Sequence, residues 1–173
     1  AQAKKNAQDG IAAITIAEGA ANEISAILQR MRELSVQSAN DTLTSTERSY
    51  TNQEFGHLIS EIDRIASVTN YNGMDLLSSN GTAGARFGSG TTGSALWIDA
   101  NNTYGLDSIT VTIDTLTTAT DGTGIGVEDA TLTNQAAAVN AITALDNAIN
   151  SVNTMRSNMG AFINRLDHAI NNL

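Results

Sequence analysis

An apolar repeat near the C-terminal end does most to limit what this chain can become. Ala138, Ile142, Leu145, Ile149, Val152, Arg156, Met159, Ile163, Leu166, Ile170 and Leu173 alternate at spacings of three and four residues. That is the seam of a helix packed lengthwise on another helix. Ala141, Ala148, Met155, Phe162 and Ala169 form a second row at every seventh residue. Only Arg156 interrupts the seam, with Gly160 just beyond it. About forty residues at ~1.5 Å of rise each make a rod of roughly 60 Å, too long for a compact ball.

The N-terminal end repeats the pattern. From residue 3 to about 38, Ile14, Ala17, Ala21, Ile24, Leu28 and Met31 keep the same alternation, and Ala13, Ala20, Ile27 and Leu34 widen it. An apolar arc this broad asks for two neighbours. Asn40 and Asp41 break the helix, and Thr44 with Glu47 has capping-box spacing for a second one. Phe55, Leu58, Ile62 and Ile65, with Ile59 and Ala66 alongside, form its apolar side until Tyr71-Asn72-Gly73 supplies turn chemistry.

Between Gly73 and Gly126 the texture changes, for ten of the fourteen glycines fall there. Leu96 and Ile98, then Ile109, Val111 and Ile113, alternate with polar residues as half-buried strands do. Asn101-Asn102 and Tyr104-Gly105 would turn them into a hairpin. Glycines 122, 124 and 126 are expected to form a flexible turn, since no phosphate-loop lysine follows them. The expected fold is therefore mainly α, an elongated antiparallel helical bundle or coiled-coil rod with a small β-hairpin packed near the first turn. Residues 1–77 and 131–173 should pack as one domain, with 78–130 as a β-rich insertion.

Charge follows the same division. The net charge is −9; residues 1–70 carry −3, residues 71–130 carry −6, and residues 131–173 balance to zero. An acidic chain is a poor partner for nucleic acid, whose binding rests on Lys and Arg facing phosphates. No unbroken apolar run of membrane-spanning length exists, so no membrane partner is expected. There is no cysteine, which removes disulfides and thiol chemistry together.

Catalytic chemistry finds little to build on. His57 and His168 are the only histidines: His168 reads as a solvated surface residue, and His57 has Glu61 one turn on but no second ligand nearby; no His-Glu-x-x-His motif occurs. The stretch from Asp99 to Asn101 lacks the glycine and the acid a calcium loop needs, because Tyr104 and Thr110 stand at those positions. No enzyme activity, cofactor or metal is expected. The one charged cluster, Gln29-Arg30-Met31-Arg32-Glu33, reads on its residues alone as an ordinary solvated helix face.

The stretch Leu28-Gln29-Arg30-Met31-Arg32-Glu33-Leu34-Ser35-Val36-Gln37-Ser38-Ala39-Asn40 resembles the most characteristic stretch of the bacterial flagellins. Glu61-Ile62-Asp63-Arg64-Ile65-Ala66 leading into Tyr71-Asn72-Gly73-Met74-Asp75-Leu76-Leu77 is similar to the family's next motif. Met155-Arg156-Ser157-Asn158-Met159-Gly160-Ala161-Phe162-Ile163-Asn164-Arg165-Leu166 resembles its C-terminal stem helix. The match covers residues 1–77 and about 134–173, and is loose over 78–130.

This resemblance implies a structural subunit of the extracellular flagellar filament, secreted and serving motility, with other flagellin subunits as partners. It also implies that the chain is the stem alone, cut at both ends, without the terminal helices that build the inner tube; such a piece would not polymerise. Carried over residue by residue, it places a receptor and subunit interface at Gln29, Arg30, Glu33, Leu34 and, on the second helix, Glu54, with the flagellin-sensing Toll-like receptor as a second partner. The hook–filament junction protein shares the first helix's pattern and is the alternative. A coiled-coil adhesin or secretion-tip protein would satisfy the periodicity but not the three ordered motifs.

Overall fold

The computed structural model describes residues 2–78, 87–88, 93–98, 108–120 and 124–172. Its elements are α1 (Gln2–Ser38), α2 (Ser45–Val68), β1 (Asn70–Tyr71), β2 (Met74–Asp75), β3 (Ser94–Trp97), β4 (Ser108–Val111) and α3 (Gln135–Asn172). All three expected helices are present. At 38 residues, α3 extends over ~57 Å.

α1 is the central element, packed on α3 and on α2. Both neighbours run antiparallel to it. Toward α3, Glu18 meets Arg156 and Arg32 meets Asp146; toward α2, Arg30 meets Glu54, and Ser38 and Thr51 share a hydrogen bond of 2.6 Å. The broad apolar arc of α1 is thereby used on both sides: Ile14, Ala17, Ala21, Ile24, Leu28, Met31 and Leu34 are all buried. By length and mean hydropathy α1 is also apolar enough to cross a membrane, although Glu18 and Glu23 interrupt its apolar stretch. Here its apolar residues lie in a protein core.

The ends of the helices are set by local chemistry. Thr44 caps α2, accepting from the Glu47 N–H, while the Glu47 carboxylate accepts from the Thr44 N–H at 2.8 Å. Asn134 caps α3, its side-chain oxygen accepting from the Ala137 N–H at 2.8 Å.

The seam on α3 is displaced from the one expected. Ala138, Leu145, Val152, Met159 and Leu166 are buried, but so are Ala141, Ala148 and Met155 of the second row. Ile142, Ile149, Arg156, Ile163 and Ile170 are only half-buried. Three apolar rows were available, and tertiary contact chose among them. Gly126, Asp129, Ala130 and Thr131 lie beside Ala137, Ala141 and Ala144 on that flank; on the other flank Ile149, Ile163 and Ile170 are only partly buried against the core. Arg156 therefore does not interrupt the seam. It stands on the flank, donating to Glu18 Oε1 at 2.8 and 3.1 Å.

Asn72 and Gly73, at φ of 50° and 77°, join β1 and β2 in a two-residue hairpin, the geometry Asn-Gly favours. β3 and β4 pair antiparallel with Ser94 opposite Val111 and Trp97 opposite Ser108. The turn expected at 101–105 lies outside the described residues, as do Asp99–Asn101 and Leu173. The hairpin is not beside the turn between α1 and α2. It packs on the N-terminal part of α1, where Asn6 Nδ2 donates to the Trp97 carbonyl at 3.0 Å and Gly10 leaves room for Leu96. The reason is length: α2, with 24 residues against 37 in α1, stops short and leaves that stretch of α1 to the strands.

From β4 the chain returns along α2. Thr118 donates its N–H and its hydroxyl to the Asp63 carboxylate, each at 2.8 Å, and the Leu132 N–H donates to Asn52 Oδ1 at 2.7 Å. Of the glycines expected in a flexible turn, Gly122 lies outside the described residues, while Gly124 and Gly126 lie on a hydrogen-bonded stretch in which the Ile125 and Val127 N–H donate to the Thr117 and Thr118 carbonyls. Gly124 is needed there, because a Cβ would run into the Thr117 carbonyl. Ile113, Leu116, Val127 and Leu132 join the same apolar core as the helices.

Candidate recognition surface

Four of the five residues singled out from sequence are gathered on one exposed face. Met31 is fully buried, and this turns Gln29, Arg30 and Glu33 outward on α1. α2 then places Glu54 opposite. Arg30 Nε and Nη2 donate to Glu54 Oε1 at 3.0 and 2.8 Å, and Nη1 reaches Glu33 Oε2 at 3.3 Å. The side chains stay about half exposed, 51% for Arg30 and 45% for Glu54. The Glu54 hydrogen bond, and then the Glu33 one, hold the Arg30 guanidinium above its ordinary pKa. An exposed pair of this kind adds little to folding. What it does is fix the guanidinium plane between two helices, ready to pair or stack with an incoming surface.

Leu34, the fifth residue, is not on that face. It is 2% exposed and belongs to the core beneath the cluster. The sequence reading placed it beside the apolar seam and at the interface together; packing of α2 on α1 decided for burial. A partner would sense Leu34 only through the backbone it supports.

The structural ion pairs between helices were not foreseen. Arg32 Nε donates to Asp146 Oδ1 at 2.6 Å, on the side of α1 away from α2. Residues 18, 25 and 32 are spaced by seven, so one line of α1 carries Glu18, buried Ser25 and Arg32 along α3. That heptad spacing of opposite charges was the available signal. Arg64 and Glu61 pair within one turn of α2 at 2.6 Å, and this hydrogen bond holds the Glu61 carboxyl below its ordinary value. His57 and His168 are both exposed, and among the described residues no three acidic, His or Cys side chains gather into a metal-binding group.

Among the described residues the geometry offers an exposed face with a pinned cation and no sheltered cleft around it.

Comparison with known proteins agrees with these motifs. Residues 1–82 match the family described as the bacterial flagellin N-terminal helical region. The chain is 38% identical over 173 residues to a flagellin of Halalkalibacterium halodurans, covering 99% of this chain and 58% of that protein. It is 38% identical to the flagellar filament 33 kDa core protein of Treponema phagedenis, covering 98% and 59%. The chain thus spans rather more than half the length of these relatives. The crystal structure of Bacillus cereus flagellin superposes with a TM-score of 0.78 at 32% identity, covering 98% of this chain and 89% of that one. At 32% identity to that flagellin over nearly the whole of both chains, this chain belongs to the bacterial flagellin family.

Proposed function

We propose that this chain is the stem of a structural subunit of the extracellular flagellar filament, that its partners are other copies of itself, and that it catalyses nothing. The observation that carries this reading is the α1–α3 pair, a rod of ~57 Å held by a continuous apolar core. Such a shape transmits load and repeats along a polymer. Its similarity to a protein named as a flagellar filament core component supports the same reading. Electron microscopy of filaments from cells making the intact gene product, with antibody against this stem, is the test. Label along the whole filament is expected. Label confined to a band near the hook would point to the hook–filament junction protein instead, and no label would refute both.

A second reading has its own observation, the exposed Arg30–Glu33–Glu54 cluster beside Gln29. It suits an epitope for the flagellin-sensing Toll-like receptor, because an oriented Arg beside a dry core is the usual form of an interface anchor. Arg30→Ala should weaken binding to the receptor ectodomain at least about tenfold with no change in melting temperature, since the side chain lies outside the core. Unchanged affinity would return the cluster to a plain solvated face.

A further inference from the structure

The two parts of α2 are held to α1 by different means. All three buried residues of α2, Phe55, Ile62 and Ala66, lie from position 55 onward. None of the ten residues before them, Ser45 to Glu54, is buried, so apolar burial does not fix where that stretch sits. Polar contacts do so instead. Arg48, Thr51 and Glu54 recur every three residues on one side of the helix, and each of them meets α1 or its end. Thr51 shares its 2.6 Å hydrogen bond with Ser38, and Glu54 accepts from Arg30 Nε and Nη2 at 3.0 and 2.8 Å. Asn52 is turned the other way, to the returning segment.

Arg48 makes the firmest of these contacts. Its Nε donates to the Ser38 carbonyl at 2.9 Å, and Nη2 donates to the Asn40 carbonyl at 2.8 Å. Both acceptors stand where α1 ends. The last turn of α1 holds no basic residue of its own, so the negative end of its dipole takes a cation from α2. A charged donor makes each bond stronger than a neutral one, and the flat fork of a guanidinium fixes orientation as well as distance. The hydroxyls close the ring. Thr51 donates its only hydrogen to the Arg48 carbonyl at 3.0 Å, so Ser38 is the donor between the two hydroxyls. Ser38 is fully buried, and opening the ring would leave its hydroxyl in the core without a partner.

Glu54 stands between this ring and Phe55, the first apolar anchor of α2. Phe55 holds the helix on the core, and the ring sets its rotation about its own axis. The Glu54 carboxylate rides at ~6 Å from that axis, so a rotation of about 15° would carry it ~1.6 Å away. That is enough to break a hydrogen bond of 2.8 Å. Taking the Arg30–Glu33–Glu54 cluster as a recognition surface, we propose that Arg48 is its positioning residue. Closed on the Ser38 and Asn40 carbonyls, it fixes the rotation of α2 at which Glu54 meets Arg30, and so presents the Arg30 guanidinium in one orientation. A cation oriented in advance loses less side-chain freedom when a partner docks. Arg48 therefore acts on affinity through Glu54, without touching the partner.

Arg48→Met keeps the stem and removes both donors. The nitrogen–proton NMR signal of the Arg30 Nε–H, identified by its loss in Arg30→Lys, reports the bond to Glu54 with no partner present. Its exchange with water is expected to speed up at least about fivefold in Arg48→Met, toward the rate in Glu54→Gln, because opening precedes exchange. Unchanged exchange overturns the proposal. If Arg48→Met does not fold, Arg48→Lys, whose single head cannot span both carbonyls, takes its place on the same terms. Affinity for the receptor ectodomain should fall about fivefold in Arg48→Met alone and no further when the change is added to Arg30→Ala, the mark of one residue acting through another. An equal fall in both backgrounds overturns the proposal, since it means general loosening or a direct contact. The recognition reading is judged apart: if Arg30→Ala leaves affinity unchanged, that reading fails, while exchange at the Arg30 Nε–H still decides whether Arg48 sets the pair.

Discussion

Replacing Leu145 by alanine is the sharpest test of where the core of the rod lies. Leu145 is fully buried on α3, one turn from Ala141 and Ala148. Removing three carbons forfeits about 2.4 kcal/mol of transfer free energy at ~0.8 kcal/mol per buried group. Of the neighbours one turn away along the helix, Ala141 and Ala148 cannot swing in to refill the space, and Ile142 and Ile149 are held at χ1 by their β-branches. A residual void of about 50 Å³ adds about 1.2 kcal/mol at ~24 cal/mol per Å³. The expected loss is therefore about 3.5 kcal/mol, within the usual ~2–5 kcal/mol range for such changes. Urea denaturation of dilute protein, followed by far-ultraviolet circular dichroism, measures it. Ile149→Ala supplies the contrast: the heptad pattern alone puts Ile149 in the same seam, but it is half-buried in the structure. Its truncation should cost less than half as much. Asn147→Ala, on the solvent side, should change stability by no more than about 0.5 kcal/mol. Equal costs at 145 and 149, or a cost at 145 below about 1 kcal/mol, would refute the assignment of the buried row.

Three further outcomes are expected. Thr44→Ala should lose about 1 kcal/mol, the common cost of an N-cap, read from the same denaturant curves. Glu47 should respond to acid: the Thr44 N–H, and then its hydroxyl, hold the Glu47 carboxyl below its ordinary value in the folded chain. A depressed folded-state value means stabilisation that is complete above the unfolded value and lost as pH falls through the folded one. The gap in melting temperature between wild type and Glu47→Gln should accordingly be present at neutral pH and close on acidification; a gap that widens in acid would contradict the cap. Asp63→Ala should cost about 1–3 kcal/mol by leaving the Thr118 N–H and hydroxyl unpaired, and hydrogen exchange at Thr118 should speed up while the amides of central α1 remain protected.

Periodicity over long stretches made the helices legible. Heptads in α1 and α3, the Thr44–Glu47 box and the Asn72-Gly73 turn are local in origin, because each depends on residues within a few positions of one another. The strands at Leu96 and Ile109–Val111 were legible for the same reason, through alternation. The charged cluster was partly legible. Burial of Met31 turns Arg30 and Glu33 outward from sequence spacing alone, but its closure by Glu54 joins residues 24 apart and needed the packing of α2.

What only the tertiary structure decided is which of several allowed apolar rows goes inside. α3 offers three rows at heptad spacing, two of them one residue apart, and α1 also offers three. A row is buried when something covers it, and what covers it comes from elsewhere in the chain. The segment returning past Asp63 and Asn52 buries Ala141 and leaves Ile149 half outside, and α2 buries Leu34 by leaning on α1. The hairpin settles at Gly10 because α2 is too short to occupy that place. Propensity and periodicity are sums over near neighbours, so they carry no information on lengths compared across a hundred residues. The sequence determined that this chain would be a rod of long helices; the tertiary structure determined which faces of the rod are closed and which remain open to a neighbour.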